Sequence, residues 1–221
     1  MKNIKLTLIT ILTLSTLFVQ AQKKAPFEGV ITFEITIDSD DLDPVSKAML
    51  ADMELKTYLK KEKSRSESDV AMQKSITISD SKAKTIVTLI DIMGQKFMMK
   101  TSSTDMAKKE ERSENIQVTL LDETKVIAGY TCKKAEIRTP DNPNPITVYY
   151  TNDISFPKYA SPFRGIDGFP LEYEGDMGGM KTKTTAKSVS IEKVSDAKFV
   201  IPEGYQETTM EELQKMFSGG E

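Results

Sequence analysis

The sequence predicts an α+β protein that is mostly antiparallel β, with one large sheet and few helices. Apolar and polar residues alternate along many short stretches, and this period of two is typical of strands with one face in the core. Short polar turns, and not helices, separate these stretches. Such spacing favours an antiparallel meander over parallel βαβ units. The composition, 38% hydrophobic and 29% charged, is that of a folded globular protein.

The first 21 residues have the pattern of an export signal. Lys2 and Lys5 form a positive start, residues 4–19 are apolar but diluted by Thr and Ser, and small residues follow. We therefore expect cleavage between Ala21 and Gln22. The alternative, an uncleaved anchor, fits less well because this apolar core is short and rich in Thr.

The mature chain, residues 22–221, has a length that suits one domain with a sizeable core. We expect residues 218–221 to form a frayed tail and no transmembrane segment to follow the cleavage site. The predicted location is outside the cytoplasm, with the periplasm favoured over full secretion.

The clearest strand covers residues 27–37, where Phe, Gly, Ile, Phe, Ile and Ile occupy the odd positions. Glu and Thr occupy most even positions, so one face is apolar and the other polar. Weaker patterns predict further strands around residues 55–59, 62–68, 76–78, 86–92, 97–99, 118–120, 135–137 and 146–151.

Three helices are predicted. Residues 43–53 form the first, with Asp at the cap and Pro at the first helical position. Residues 106–114 form a charged short helix or a flexible link. The last helix begins at Thr208 or Thr209 and has an apolar face that includes Leu213.

The composition excludes several kinds of chemistry. The chain has no His and one Cys, so Ser-His-Asp catalysis, His metal ligands and an intramolecular disulfide are all excluded. The formal net charge of −3 gives no sign of nucleic-acid binding. We expect no catalytic residues, no metal and no cofactor.

Two acidic groups invite a functional reading. Residues 38–43 lack the oxygen ligand and the glycine that an EF-hand needs at its fifth and sixth positions, so a loop and a helix cap are favoured over a calcium site. Glu172 and Glu174 alternate along one strand. We expect both on the solvent face, which does not make an acid/base pair.

Methionine is frequent, with 12 residues in the chain. Three interpretations stay open: Cu(I) capture by thioethers, an adaptable apolar lining for a ligand, and gap-filling in the core. The clusters are Met49 with Met53, then Met93 with Met98 and Met99, and finally Met177 with Met180.

Cys132 lies between Thr131 and Lys133 in an alternating stretch, and we expect no basic or His neighbour to lower the pKa of its thiol. A reactive thiol needs such a neighbour to lower its pKa. We expect Cys132 to be a structural strand residue.

Three segments resemble a known group of exported Bacteroidetes proteins. Residues 125–135 (KVIAGYTCKKA) are similar to its "IaGykckKa" segment, and residues 146–151 (ITVYYT) resemble its "v-W-Y-T" strand. Residues 165–172 (GIDGFPLE) resemble a "G-l-p-G-l-i-l-e" turn and strand. On these motifs the chain resembles the DUF4412 family and, more distantly, the GLPGLI family.

The resemblance implies a LolA/LolB-like fold, which is an open, curved half-barrel sheet with a few helices on its concave face. Carriers of that type hold acyl chains between sheet and helices without a catalytic residue. No site residues are known for the family, so none follow from it.

Two classes of function fit these observations. The first is an exported, non-catalytic protein that carries or senses a lipid, a lipoprotein acyl chain or another apolar ligand, with transient contact to the envelope or membrane. The second is an envelope interaction protein with a filled core and no cavity. An enzyme would have to work with Asp, Glu, Lys and Tyr alone.

A carrier would need an apolar lining, and the first strand and the Met clusters are the candidates. The 43–53 helix follows that strand closely, so we expect it to fold back over the same face. The predicted lining residues are Phe33, Ile35, Ile37, Met49, Met53, Met98 and Met99.

Overall fold

The computed structural model describes residues 26–38, 53–70, 73–102, 105–106, 115–140, 142–177 and 180–217. These residues form one open, curved sheet of 12 strands, almost entirely antiparallel. The predicted fold class is therefore confirmed.

The bounds of the strands are β1 Glu28–Asp38, β2 Glu54–Lys60, β3 Lys63–Val70, β4 Gln73–Asp80, β5 Thr85–Ile92, β6 Gln95–Lys100, β7 Gln117–Ile127, β8 Tyr130–Thr139, β9 Asn142–Thr151, β10 Phe169–Met177, β11 Met180–Ile191 and β12 Gln206–Glu207. Strands β1 to β10 follow the stretches that the sequence pattern indicated, and most of them are longer, whereas β11 and β12 were not predicted. A 3-10 helix covers Asp196–Phe199, and an α-helix, α1, covers Met210–Phe217.

The sheet consists of two meanders joined along one long pair of strands. The order across the sheet is β12-β6-β5-β4-β3-β2-β1-β11-β10-β9-β8-β7. Strands β1 to β6 form the early meander, and strands β7 to β11 form the late one. Strand β1 pairs with both β2 and β11, so it connects the two meanders. Strand β12 is parallel to β6 and closes one edge with two residues.

Two hairpins show why the meanders turn where they do. Met93 and Gly94 join β5 to β6 with φ of 54° and 86°, and Ala128 and Gly129 join β7 to β8 with φ of 48° and 84°. Positive φ at both central residues is the geometry of a tight hairpin turn whose twist matches that of the strands.

One face of the sheet is concave and carries the connection between β9 and β10, residues 152–168. This connection is anchored by two buried isoleucines, Ile154 and Ile166. The Phe156 ring meets Phe169 edge-on with centroids 5.3 Å apart. An irregular segment therefore covers part of the concave face.

The opposite, convex face of the early meander is covered by the segment between β11 and β12. Val194 and Phe199 of this segment are buried against Ile78, Val87 and Leu89. Burying each large side chain contributes roughly 1.5–3 kcal/mol, so this cover is a substantial second layer of the core.

The terminal helix α1 is capped as the sequence predicts. The Glu212 backbone N–H donates to Thr209 Oγ1 at 3.1 Å, and the Thr209 N–H donates to the Glu212 carboxylate at 2.9 Å. This reciprocal pair is a capping box. Leu213 then packs on Ile90 and Phe97, on the same face of β5 that lines the concave side.

The predicted helix at residues 43–53 lies outside the described residues except for Met53, and so do most of residues 106–114 and the predicted tail. Within the described ranges, no helix has the length and apolar character needed to cross a membrane.

Candidate ligand-binding cleft

The concave face contains a cleft with a volume of about 570 Å³. One wall comes from the early meander and includes Ile86 and Thr88 of β5. The other wall comes from the late meander and includes Ile137 of β8 and Ile146 of β9. Strands that lie far apart in the sheet order thus face each other across the cleft, which is possible only because the sheet curves.

The β9–β10 connection forms the floor and one rim of the cleft. Tyr159, Phe163 and Arg164 line it directly. The local backbone is held by Ser161, whose hydroxyl accepts from the Phe163 N–H at 3.1 Å and donates to the Phe163 carbonyl at 3.0 Å. The Phe163 ring meets Tyr173 edge-on at 5.0 Å, which ties this rim to β10.

A smaller cavity of about 240 Å³ adjoins the cleft on the other side of the same connection. Phe33 of β1 and Leu55 of β2 line it, together with Phe169 and Tyr173 of β10. Thr77 and Tyr159 line both spaces, so the two are neighbours on one concave surface.

The residues predicted from β1 lie on this concave side. Phe33 is buried and lines the smaller cavity. Ile35 and Ile37 follow on the same face, half-buried, opposite Thr184 and Thr182 of β11. Met53 is buried as well, and its carbonyl accepts from the Ile35 N–H at 3.1 Å.

The remaining predicted methionines do not come together at the cleft. Met98 packs with Leu89 and Phe199 under the convex cover, whereas Met99 lies on the other face beside Phe97 and the helix residue Leu213. Neighbouring residues of a strand point to opposite faces, so these two cannot line one cavity. Met49 lies outside the described residues.

A second, polar cluster lies on the convex side of the late meander and corrects the expectation for Glu172. Its carboxylate is buried, although it shares the convex face with the exposed Glu174. Lys125 Nζ donates to it at 2.7 and 2.9 Å, Lys183 Nζ lies at 3.2 Å, and the Thr185 hydroxyl donates at 3.2 Å. The side chains of Lys125 from β7 and Lys183 from β11 cover the carboxylate, which alternation within one strand could not indicate.

Burial raises the pKa of Glu172, but the hydrogen bonds from Lys125 and Lys183 outweigh it, so the pKa lies below its ordinary value. A second ion pair continues the cluster: Lys134 Nζ donates to Glu123 at 2.8 Å, and the Tyr149 hydroxyl donates to the same carboxylate. These two hydrogen bonds lower the pKa of Glu123. The carboxylates are therefore ionised partners of lysines, not proton donors at neutral pH.

The thiol of Cys132 lies in the core beneath this cluster. Burial is the main reason that its pKa is raised to about 11. A thiol with that pKa is not a nucleophile at neutral pH. This agrees with a structural role for Cys132.

The family model for the N-glycanase peptide, N-terminal domain, matches residues 43–211, well over half of the chain. The chain belongs to this N-glycanase N-terminal domain family. The matched family is thus not the DUF4412 group that the short motifs resemble.

Solved structures agree with membership of the N-glycanase N-terminal domain family at the level of the fold. PNGF-II in one crystal form is 18% identical with a TM-score of 0.56, over 87% of this chain and 33% of PNGF-II. A second crystal form gives 16% identity and a TM-score of 0.56, over 87% and 34% of the two chains. The chain therefore spans about a third of the length of PNGF-II.

The lipoprotein LppX of Mycobacterium tuberculosis is a more distant match. It is 11% identical with a TM-score of 0.31, over 78% of this chain and 90% of LppX. At that TM-score the likeness supports no functional argument. The comparison with curated proteins gives no match.

The cleft of this N-glycanase-type domain was only partly visible in its sequence. Alternation already placed Ile137 and Ile146 on apolar strand faces, and Ile86 in an apolar stretch. Which strands face each other across the sheet depends on its curvature, and this is not encoded in any one strand. The rim residues Tyr159 and Arg164 gave no periodic signal, because they lie in an irregular connection.

Proposed function

We propose that this chain is a non-catalytic binding protein that takes up an apolar chain, such as a lipid acyl chain, in its concave cleft. The observation that carries the proposal is the cleft of about 570 Å³ between walls that include Ile86, Ile137 and Ile146. This volume lies within the roughly 300–1,000 Å³ of small-molecule sites, which are mostly apolar with a few polar groups.

The chemistry of the described groups supports binding over catalysis. The sequence has no His, and the single thiol is buried with a raised pKa. The buried carboxylate of Glu172 is held as an ion pair on the convex side, away from the cleft. A binding protein needs none of these groups to react.

The proposal is tested by uptake of N-phenyl-1-naphthylamine, a neutral apolar probe whose fluorescence rises in an apolar site. Ile146→Glu places a carboxylate in the cleft wall, where burying a polar group without a partner costs about 1–3 kcal/mol. We therefore expect roughly 10- to 100-fold weaker uptake.

Ile191→Glu is the matched control, because Ile191 is 77% exposed and lies at the end of β11 outside the cleft. It should bind the probe as the unmutated protein does. If the unmutated protein takes up no probe, or if both variants lose uptake equally, a ligand-binding cleft is wrong.

The family match favours a second candidate function, an interaction domain that serves a glycan-processing enzyme. In this case the core needs no ligand, and the domain binds a glycoprotein or an enzyme partner instead. Surface plasmon resonance with one glycoprotein, before and after enzymatic removal of its N-glycans, tests it. Binding that disappears with the glycans, from a protein that takes up no probe, would favour this candidate.

We infer from residues 1–21 that the chain works outside the cytoplasm, with the periplasm as the favoured location. Fractionation of cells that express the full-length chain tests this, because a cytoplasmic pool alone would contradict it. The resemblance of residues 125–135 to DUF4412 proteins is a further hypothesis, which an alignment containing both families would test.

A further inference from the structure

The concave faces of β3 and β4 carry hydroxyl groups where the core face of a sheet normally carries apolar side chains. Three directly opposed pairs form this surface: Ser64 with Ser79, Ser66 with Thr77, and Ser68 with Ser75. The other face of β4 is apolar, because Ile76 and Ile78 pack in the convex core. We call the six concave residues the hydroxyl surface.

The smaller cavity lies directly on this hydroxyl surface. Ser64, Ser66 and Thr77 line the cavity, and Thr57 of β2 lies opposite Ser66 and lines it too. Thr77 also lines the larger cleft, where its neighbour on β5 is Thr88. Hydroxyl groups therefore lead from one space into the other along a single row across the sheet.

The hydroxyls of this row keep capacity for hydrogen bonds to a ligand. Those of Thr57 and Ser66 share one bond of 3.1 Å. A hydroxyl has one hydrogen to donate and two acceptor positions, so whichever of the two donates, the hydrogen of the other is left over from that bond. Within the part of the chain that the structure describes, the Thr77 hydroxyl has no hydrogen-bond partner, although Thr77 is half-buried.

The lining of the smaller cavity is polar but uncharged. Among the described residues around it, the hydroxyls lie beside the rings of Phe33, Phe169 and Tyr173, and none carries a charge. A charged head group would lose its hydration there without an opposite charge to replace it, which is far costlier than burying a hydroxyl that finds a partner. A purely apolar group would deprive the hydroxyls of water, which also costs free energy. An uncharged group with several hydroxyls avoids both costs.

We propose that the smaller cavity is the head-group end of the site, and that it binds the uncharged, polyhydroxylated head of an amphiphile whose apolar tail lies in the larger cleft. This inference rests on the proposed function and adds the chemical class of the ligand. The tail contacts the wall that includes Ile137 and Ile146, and the head bonds to the hydroxyls of Thr57, Ser66 and Thr77. A glyceryl head and a glycosyl head both have this chemistry.

The test compares three uncharged ligands that share an octyl chain and differ in the head: octyl glucoside, 1-O-octylglycerol and octyl methyl ether. Each displaces N-phenyl-1-naphthylamine from the full mature chain, below its micelle concentration or solubility limit. A purely apolar site would prefer the ether, because it is the least hydrated of the three. We expect the opposite order, with at least one polyol roughly tenfold tighter than the ether, since neutral hydrogen bonds contribute to its binding. The two polyols distinguish a glycosyl head from a glyceryl head.

The variant Thr77→Val replaces the unpaired hydroxyl by a methyl group of nearly the same size. It should bind the preferred polyol roughly fivefold more weakly and keep its affinity for the ether and for the naphthylamine probe, which also shows that the variant is folded. Thr77→Ser keeps the hydroxyl and should keep the preference. Thr85→Val is the matched control, because Thr85 is exposed and lines neither space, so it should change no affinity.

The outcomes separate the two proposals. If the naphthylamine probe binds but the ether displaces it at least as well as both polyols, the head-group inference is wrong while the binding cleft stands. The same conclusion follows if Thr77→Val keeps the full preference, or if Thr77→Ser or Thr85→Val weakens polyol binding as much as Thr77→Val. The comparison on the unmutated chain decides the question even if Thr77→Val does not fold. If no probe binds the unmutated chain, the proposed function itself fails and the inference falls with it.

Discussion

Replacing Glu172 by Gln removes the charge at the centre of the convex ion-pair cluster. The carboxylate is 5% exposed and accepts from Lys125 and Lys183. Hydrogen bonds to charged groups contribute about 1.5–3 kcal/mol, but these lysine side chains are 43% and 48% exposed and regain water when the charge is lost. Gln also keeps one acceptor oxygen, so we expect a loss of about 1–2 kcal/mol in the free energy of unfolding at neutral pH.

The stability difference between the unmutated chain and Glu172→Gln should depend on pH, in a direction set by the pKa of Glu172. The pKa of Glu172 is lower in the folded chain than its ordinary value, so its contribution is fully present above the unfolded pKa of about 4.3. The contribution is lost as the pH falls through the folded pKa. The gap in stability between the unmutated chain and Glu172→Gln should therefore be largest near neutral pH and shrink in acid.

Urea unfolding followed by circular dichroism, at about pH 7 and again near pH 3.5, measures this gap. Glu174→Gln is the control, because Glu174 lies two residues along the same strand and is exposed. It should change stability by less than about 0.5 kcal/mol. An unchanged urea midpoint for Glu172→Gln at neutral pH, or a gap that persists in acid, would refute the role of the ion pairs.

Other parts of the molecule give further expected outcomes. Because the Cys132 thiol is buried with a pKa of about 11, a thiol reagent at neutral pH should label the native chain far more slowly than the urea-unfolded chain. Phe199→Ala opens the convex cover and should cost about 3–5 kcal/mol in urea unfolding. Thr209→Ala removes the cap of α1 and should cost about 1 kcal/mol, seen as faster amide exchange in that helix. N-terminal sequencing of the exported protein should begin at Gln22, and a protein that keeps residues before it would contradict the predicted cleavage.

The strands could be predicted because a half-buried antiparallel strand has a period of two in its sequence. Residues 27–37 alternate over their whole length, and all but the first of them belong to β1, which pairs on both sides. Strand β11 did not show this signal, because its buried positions hold threonines such as Thr182 and Thr184 and not apolar residues. Its pairing with β1 is a contact between distant parts of the chain, which a local pattern does not contain.

The burial of Glu172 shows a second limit of local patterns. Alternation correctly places Glu172 and Glu174 on one face, and the register of β10 against β11 agrees. Exposure, however, depends on what lies above that face. Lys125 lies 47 positions before Glu172, in β7, and Lys183 lies in β11, the strand next to β10. The cover of this carboxylate therefore comes from residues outside its own strand.

The β9–β10 connection determines where the concave face is filled and where it stays open. A curved sheet leaves an apolar surface that must be covered, and an irregular segment can cover it only if its own backbone groups find partners. Ser161 bonds the backbone of Phe163 on both sides, and the Ala160 N–H donates to the Pro157 carbonyl at 2.9 Å. The connection thus satisfies its own backbone groups in the middle of the concave face. The smaller cavity remains on one side of it and the larger cleft on the other. The larger of these spaces opens beside Tyr159, so the same local turns that fill the core also place an aromatic ring at the rim of the cleft.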